Sequence, residues 1–340
     1  MSELRPARIA FVGAGVHATE SLYPNFGMIP ELELVAVCDL DLGKAERAAR
    51  KYGAQWFSDL GQMLDTVRPD AVCACGPAEM HLEVGLEVLG RGLPVFVEKP
   101  PGLTAADAMS LLQRASATRT WGMVGFMKRF AAANLVTRDY IASPEFGVLN
   151  SLSMIHGCGP YNDLRRMLLF NGIHMLDLAR FLAGEVAEVT AQAAAPAPNV
   201  FVATIAFRFA NGALGQLNMN SGHHWEDCFE QTYLSGSGAA VLVDASQAVE
   251  VMASGRRFAD PPDQRLYGWS GRYYVSGNMA GWWAGGHYTR GYWGELSHFA
   301  RAVQGVIEPE ATLEDGLRAM ELVEAILESV ATNRPVVLPG

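Results

Sequence analysis

The sequence predicts an α/β protein that opens with a doubly wound domain on a parallel sheet and continues into a second domain. Three observations carry this. Over the first 120 residues, short apolar β-rich runs alternate with helix-like stretches. A glycine-rich turn directly follows the first run. The length of 340 residues is enough for two domains of about 100–200 residues each.

The elements follow in order. Arg8 to Val12 reads as a strand, followed by the loop Gly13-Ala14-Gly15-Val16-His17-Ala18. Leu32 to Cys38 is a second strand ending at Asp39, and Leu42 to Tyr52 carries charges and alanines at helical spacing. Ala71 to Cys75 and Val95 to Val97 are further strands, and Ala78 to Leu89 and Ala105 to Ser116 are helices. Continuous apolar strands separated by helices indicate a parallel sheet covered on both faces. This places the first domain at 1–121 and the second at 122–340.

Composition excludes several classes. Half of the residues are hydrophobic, which is too many for a disordered chain, and 36 acidic against 26 basic residues disfavour a nucleic-acid partner. No segment approaches the ~20 apolar residues needed to span a bilayer, and the N-terminus lacks the apolar core of a signal peptide. The five cysteines include Cys73 and Cys75 at alternate positions of an apolar run, a core pattern rather than a redox or zinc pair. A cytoplasmic protein with a small-molecule partner is expected.

The first turn suggests that partner. G-x-G-x-x-A after a strand and opening a helix is a dinucleotide fingerprint: Gly13 permits the tight turn, Gly15 lets the backbone approach a pyrophosphate, and Ala18 packs the helix close to the sheet. Ala14, Val16 and His17 complete the loop, whose free N–H groups face the phosphates. Asp39, 26 residues after Gly13, stands where an acid accepts ribose hydroxyls; the competing reading makes it a turn or cap residue. With Asp39 in place NAD(H) is expected, while nearby Lys44 and Arg47 leave NADP(H) open.

Glu98-Lys99-Pro100-Pro101 lies at the C-terminal end of the fourth strand, the edge where doubly wound sheets bind ligands. A lysine there can exchange a proton with a substrate hydroxyl or carbonyl, although a lysine before proline is also an ordinary turn residue. In the second domain His174, Asp177 and Arg180 recur every three residues and share one face of a helix.

Taken together the motifs resemble the Gfo/Idh/MocA oxidoreductases, the glucose–fructose oxidoreductase and inositol dehydrogenase group. The resemblance rests on GAGVHA, Pro30 to Asp39, Gly76-Pro77 with His81, Glu98-Lys99-Pro100, Gly125 to Phe130, Gly172 to Asp177, Glu295 to Val303 and Asn333 to Val336. It implies a Rossmann domain followed by an α/β domain with a large, open, mostly antiparallel sheet that mediates homodimers or homotetramers. It further implies a nicotinamide cofactor between the domains and a sugar, sugar-derivative or cyclitol substrate. By the same resemblance Gly13, Gly15 and Asp39 contact the dinucleotide, Pro77, His81 and Glu98 line its ribose and nicotinamide side, and Lys99 is catalytic with His174. Arg129, Asp163, Arg165 and Asp177 join Lys99 and His174 as substrate candidates.

One departure stands out. Many catalytic members carry Asp four residues before the histidine, where this chain has Phe170. Lys99 and His174 then act without it, or Asp163 or Asp177 substitutes, or the protein is a non-catalytic dinucleotide-binding regulator. Residues 251–294 hold four of the seven tryptophans (Trp269, Trp282, Trp283 and Trp293) with nine glycines, which fits a sugar-binding cover, a subunit contact or packing on the sheet. His223, His224, Glu226, Asp227 and His287 lack metal-ligand spacing, so no metal site is expected. Arg165 and Arg166 are either solvated or neighbours of an acidic group.

Overall fold

The computed structural model describes residues 5–225, 229–253, 269–274 and 289–339. Its first unit comprises Met1–Phe130 and Gly286–Met320. Six strands form its sheet: β1 (Ala7–Val12), β2 (Leu32–Cys38), β3 (Gln55–Phe57), β4 (Ala71–Ala74), β5 (Val95–Val97) and β6 (Gly122–Val124). They lie in the order β3-β2-β1-β4-β5-β6 and all pair in parallel. Because β6 completes this sheet, 122–130 belong to the first unit, and the predicted boundary at 121 falls too early.

The local chemistry explains the elements. β4, β5 and β6 are buried along their whole length, which accounts for their uninterrupted apolar sequences. The helix Leu42–Tyr52 starts at Asp41, whose side chain accepts from the Gly43 and Lys44 amides, and stops at Gly53 in the left-handed region, φ 70°. Ala105–Thr118 begins with a capping box between Thr104 and Asp107. The helix Tyr292–Val303 seats Phe299 against Phe96 and Trp121, at ring separations of 5.8 and 5.7 Å.

The strand order reverses between β2 and β4, on either side of β1. At this switch point the chain leaves each strand into a loop tied to its neighbour. Gly13 N–H donates to Cys38 O, Cys75 N–H to Val12 O, Glu98 N–H to Ala74 O and Gly125 N–H to Val97 O, all at 2.8–2.9 Å. The loops carrying Gly13, Asp39, Pro77, Lys99 and Gly125 thus form one edge.

The second unit, Ala131–Gly285 with Glu321–Gly340, holds a nine-stranded sheet. Its strands are β7 (Leu149–Gly157), β8 (Val186–Ala197), β9 (Val200–Phe209), β10 (Leu214–Asn220), β11 (Glu230–Gly236), β12 (Ala239–Asp244), β13 (Ala248–Ala253), β14 (Trp269–Tyr274) and β15 (Val336–Val337). Every pairing is antiparallel except β7 with β10. Buried and less buried residues alternate along β9 and β12, so one face is covered and the other open. Ile155, Leu214 and Tyr233 are exposed on the sheet strands. The helix Ile173–Ala183 packs on β7, and Ser329 Oγ accepts from Ala191 N–H and donates to Arg334 O, fastening the C-terminal segment to β8.

Candidate active site

The glycine loop is fixed by contacts that leave its outer side open. Gly13 has φ 100°, and a Cβ there would lie 2.0 Å from the Cys75 carbonyl oxygen, so no side chain fits. Tyr23 Oη donates to Gly13 O at 2.9 Å, and buried Ala18 faces the core. At Gly15 a Cβ would meet nothing within 4 Å. A groove of about 370 Å³ runs beside Ala14, Gly15, Val16 and Thr19, with Lys44, Arg47 and Lys51 on its other wall.

Two glycines two residues apart therefore have different jobs. Gly13→Ala is expected to destabilise the fold by ~1–3 kcal/mol, the scale of a strained backbone position. Gly15→Val is expected to leave the melting temperature within about 2 °C of the wild type while weakening NADH binding at least tenfold, measured by tryptophan quenching. Equal effects of both substitutions on stability would contradict this division.

Asp39 holds the loop from the neighbouring strand. Its Oδ2 accepts from Ala14 N–H at 2.7 Å and its Oδ1 from Asp41 N–H at 2.9 Å. Each oxygen keeps a further lone pair, so the carboxylate is oriented by the backbone while still able to accept a hydroxyl. The turn role and the ribose role are therefore compatible.

His81 is buried, and both of its nitrogens are engaged within the protein. Gly76 N–H donates to Nε2 and Nδ1–H donates to Pro100 O, each at 2.9 Å. Burial comes first among the influences that push its pKa down, which keeps the ring neutral. It braces Gly76-Pro77 against the cis Lys99-Pro100 turn.

Glu98 is buried beside Lys99. Its Oε2 accepts from Lys99 N–H at 3.1 Å and its Oε1 lies 3.5 Å from His17 Nε2. Gly125 makes room, since a Cβ there would sit 2.9 Å from the Glu98 carboxyl carbon. Burial raises the Glu98 pKa, but the hydrogen bond and charge of His17, with Lys99, outweigh it and hold the carboxyl below its usual range. Glu295 is also fully buried and its two oxygens have no hydrogen-bond partner among the described residues. Burial, then the charge of Glu98, pushes its pKa well above the usual carboxylate range. The two carboxyls are thus shifted in opposite directions, Glu98 downward and Glu295 upward. Tyr292, one helical turn from Glu295, meets the His17 ring edge-on at 5.7 Å.

Arg129 is buried and its Nη2 donates to Asp315 Oδ1 at 2.8 Å, which ties the Met127–Phe130 turn to the start of the last helix. Among the described residues no group of three or more His, Cys, Asp or Glu is placed to hold a metal ion. Cys38, Cys73, Cys75 and Cys158 are buried and none of them is in a disulfide among the described residues, and burial pushes the Cys38 thiol up to about 11.

In the second unit His174 is buried on the first turn of Ile173–Ala183. Asp177 is 1% exposed and lies 3.7 Å from Arg180, whose guanidinium forks onto Glu185 at 2.9 and 2.7 Å. Asp163 caps the helix Leu164–Met167 by accepting from Arg166 N–H at 2.7 Å. Both carboxylates proposed as substitutes at the Phe170 position therefore have structural partners. Phe170 itself lies under the Arg166 guanidinium at 5.0 Å. Arg165 is half-buried in the same helical turn. Tyr161 meets Trp225 edge-on at 5.2 Å. Glu226, Asp227, Trp282, Trp283, His287 and the side chain of Trp269 lie outside the described residues.

Two family models decide what the fingerprint belongs to. Residues 7–126 match the oxidoreductase family with an NAD-binding Rossmann fold, and 167–338 match the C-terminal α/β domain of the same family. The chain belongs to the Gfo/Idh/MocA oxidoreductases. It is 26% identical to inositol 2-dehydrogenase of Rhizobium meliloti, over 97% of this chain and 98% of that one. It is 32% identical to D-glucoside 3-dehydrogenase of Escherichia coli, over 53% and 54%. A dehydrogenase structure from Chromobacterium violaceum superposes with a TM-score of 0.88 at 25% identity, covering 97% of each chain. The protein is an NAD-dependent oxidoreductase, and the glycine loop with Asp39 fits that cofactor: Gly13 and Ala18 close the turn while Gly15 leaves its outer side bare.

Sequence reading singled out Gly13, Asp39, Glu98 and Lys99, which the structure places at the ends of the parallel strands, but not Tyr23, Tyr292 or the burial of Glu295. Only the Glu295 to Val303 motif signalled the last of these, and nothing in its spacing revealed an unpartnered carboxyl.

Proposed function

We propose that the protein oxidises a secondary alcohol of a sugar, sugar derivative or cyclitol, or reduces the corresponding ketone. The observation that carries this is Lys99, held by Glu98 at the sheet edge that also presents the glycine loop. Bound NAD would accept the hydride in the oxidation, and NADH would donate it in the reduction.

The chain's own residues bind and move the proton. Gly13, Ala14, Gly15, Val16, His17 and Ala18 form the pyrophosphate loop, Asp39 takes the adenosine ribose, and Pro77 and Glu98 flank the nicotinamide side, with His81 bracing that wall. Lys99 exchanges the substrate hydroxyl proton and His174 assists as a second acid or base, a role an imidazole can fill from either ring nitrogen. Arg165 is a substrate contact, while Arg129, Asp163 and Asp177 support the structure around the site. Lys44 and Arg47 would give a 2′-phosphate cationic neighbours, so NADP is a second cofactor. The open face of the β7–β15 sheet supports a homodimer or homotetramer, and no described helix is long and apolar enough to cross a membrane. A cytoplasmic location agrees with buried cysteines that form no disulfide among the described residues.

The test is a panel of aldoses, methyl glucosides, uronic acids and inositols with NAD and with NADP, followed by reduced-cofactor absorbance. At least one sugar or cyclitol is expected to be turned over. If NADH quenches tryptophan fluorescence while the whole panel stays silent, the protein is a dinucleotide-binding regulator and this proposal fails.

A further inference from the structure

The helical run from Leu164 to Ala183 contains a π turn at Leu168–Gly172, immediately before His174. A π turn gives up regular i to i−4 bonding and is frequent at functional sites. In this protein the turn is gripped from the sheet. Asn171 Oδ1 is in close hydrogen-bond contact with Nε2 of His156, near the end of β7. The other nitrogen of that ring, Nδ1, lies 3.7 Å from Glu230 Oε2 on β11, and Glu230 Oε1 accepts from Ser246 Oγ at 3.1 Å. His156, Ser246 and Glu230 are 4%, 5% and 9% exposed. Next along the turn, a Cβ on Gly172 would lie 3.0 Å from Met219 Sδ on β10, so the helix also rests against the sheet there.

The donor pattern gives the grip its direction. A side-chain carbonyl only accepts, so Nε2 of His156 carries a hydrogen toward Asn171. Nδ1 then faces the Glu230 carboxylate at 3.7 Å, a close polar approach beyond hydrogen-bond length. The residue preceding Asn171 offers nothing comparable, because the Phe170 ring has no polar atom to orient an imidazole. Asn171 sits three residues before His174, within one helical turn and on the same helix face.

We propose that Asn171, clamped by His156 and Glu230, is a positioning residue for His174. It fixes the π turn and with it the direction in which the His174 imidazole leaves the helix. This rests on the reading of His174 as a proton-handling group, and the experiment separates the two.

Asn171→Ala, Asn171→Asp, His174→Ala and the Asn171→Ala/His174→Ala double variant are assayed with the panel substrate of highest kcat/KM. A misplacement of about 1 Å costs up to ~10²-fold in rate, so Asn171→Ala is expected to lower kcat at least tenfold. KM and the NADH Kd are expected to stay within about threefold of wild type. Asn171→Asp keeps the acceptor and restores most of the rate. In the His174→Ala background Asn171→Ala adds no further loss, because its effect passes through the missing imidazole. Hydrogen exchange read by mass spectrometry is expected to quicken over 168–176 in Asn171→Ala, with the melting temperature confirming a folded protein. Asn171→Ser replaces it if the alanine variant does not fold.

A kcat within threefold of wild type for Asn171→Ala, while His174→Ala is impaired, overturns the clamp and leaves the role of His174 standing. Losses that multiply in the double variant also overturn it. Full turnover by His174→Ala removes the reading on which the proposal rests.

Discussion

Lys99→Met is expected to lower kcat by roughly 10²- to 10⁴-fold, the usual contribution of a positioned acid–base group. NADH affinity is expected to stay within about threefold of the wild type. The reason for this split lies in the backbone. The contact that fixes the turn is Lys99 N–H to Glu98 Oε2, which survives replacement of the side chain. The glycine loop and Asp39 are anchored through Tyr23, Ala14 and Asp41, none of which touches Lys99 in those bonds. Lys99→Arg distinguishes charge from proton exchange, because arginine keeps the positive charge and does not release its proton near neutrality. It is expected to be as inactive as Lys99→Met. Single-turnover reduction of NAD by the preferred panel substrate, beside an NADH titration, checks both statements. Turnover within tenfold of the wild type in purified Lys99→Met removes Lys99 from the chemistry.

How much of this was legible in the chain depends on the distance over which each feature is encoded. β2 and the helix Leu42–Tyr52 match their predicted limits because both signals are local: a continuous apolar run, Asp41 as cap and Gly53 as stop. β3 and β6 open on Gln55 and Gly122, residues that do not signal a strand, whereas the equally short β5 is entirely Val and Phe and was legible; missing β6 misplaced the domain boundary. Gly13, Asp39 and Lys99 were legible because each terminates a strand of a recognisable repeat. The partners of His81 and Asp177 were not, since a histidine or aspartate in a helix reads the same whether it faces a ligand, the Pro100 carbonyl or Arg180. Glu295 reaches the surroundings of Glu98 only because the chain returns to the first unit after the 155 residues 131–285, a tertiary event that no local pattern records.

That return has a consequence measurable without substrate. Burial, and then the negative charge of Glu98, raise the Glu295 pKa well above its unfolded value. Between the two values the unfolded chain has lost a proton that the native chain keeps, so unfolding becomes easier as pH rises. Its stabilising effect is complete below the usual glutamate range and fades until the folded pKa is passed, at about 1.4 kcal/mol per pH unit. Glu98 has the opposite sign: its folded pKa is lowered, so its contribution is present above the unfolded value and lost as pH falls through the folded one. Glu295→Gln keeps the shape of the neutral acid but cannot ionise. Its melting temperature is therefore expected to fall less than that of the wild type between pH 5 and pH 7.5, by roughly 1.4 kcal/mol of stability for each unit within the window, while the acid limb set by Glu98 stays in place. Thermal unfolding across pH decides the matter. Parallel curves for the two proteins would mean that Glu295 ionises as readily in the fold as outside it, and that Lys99 stands beside two anions rather than one.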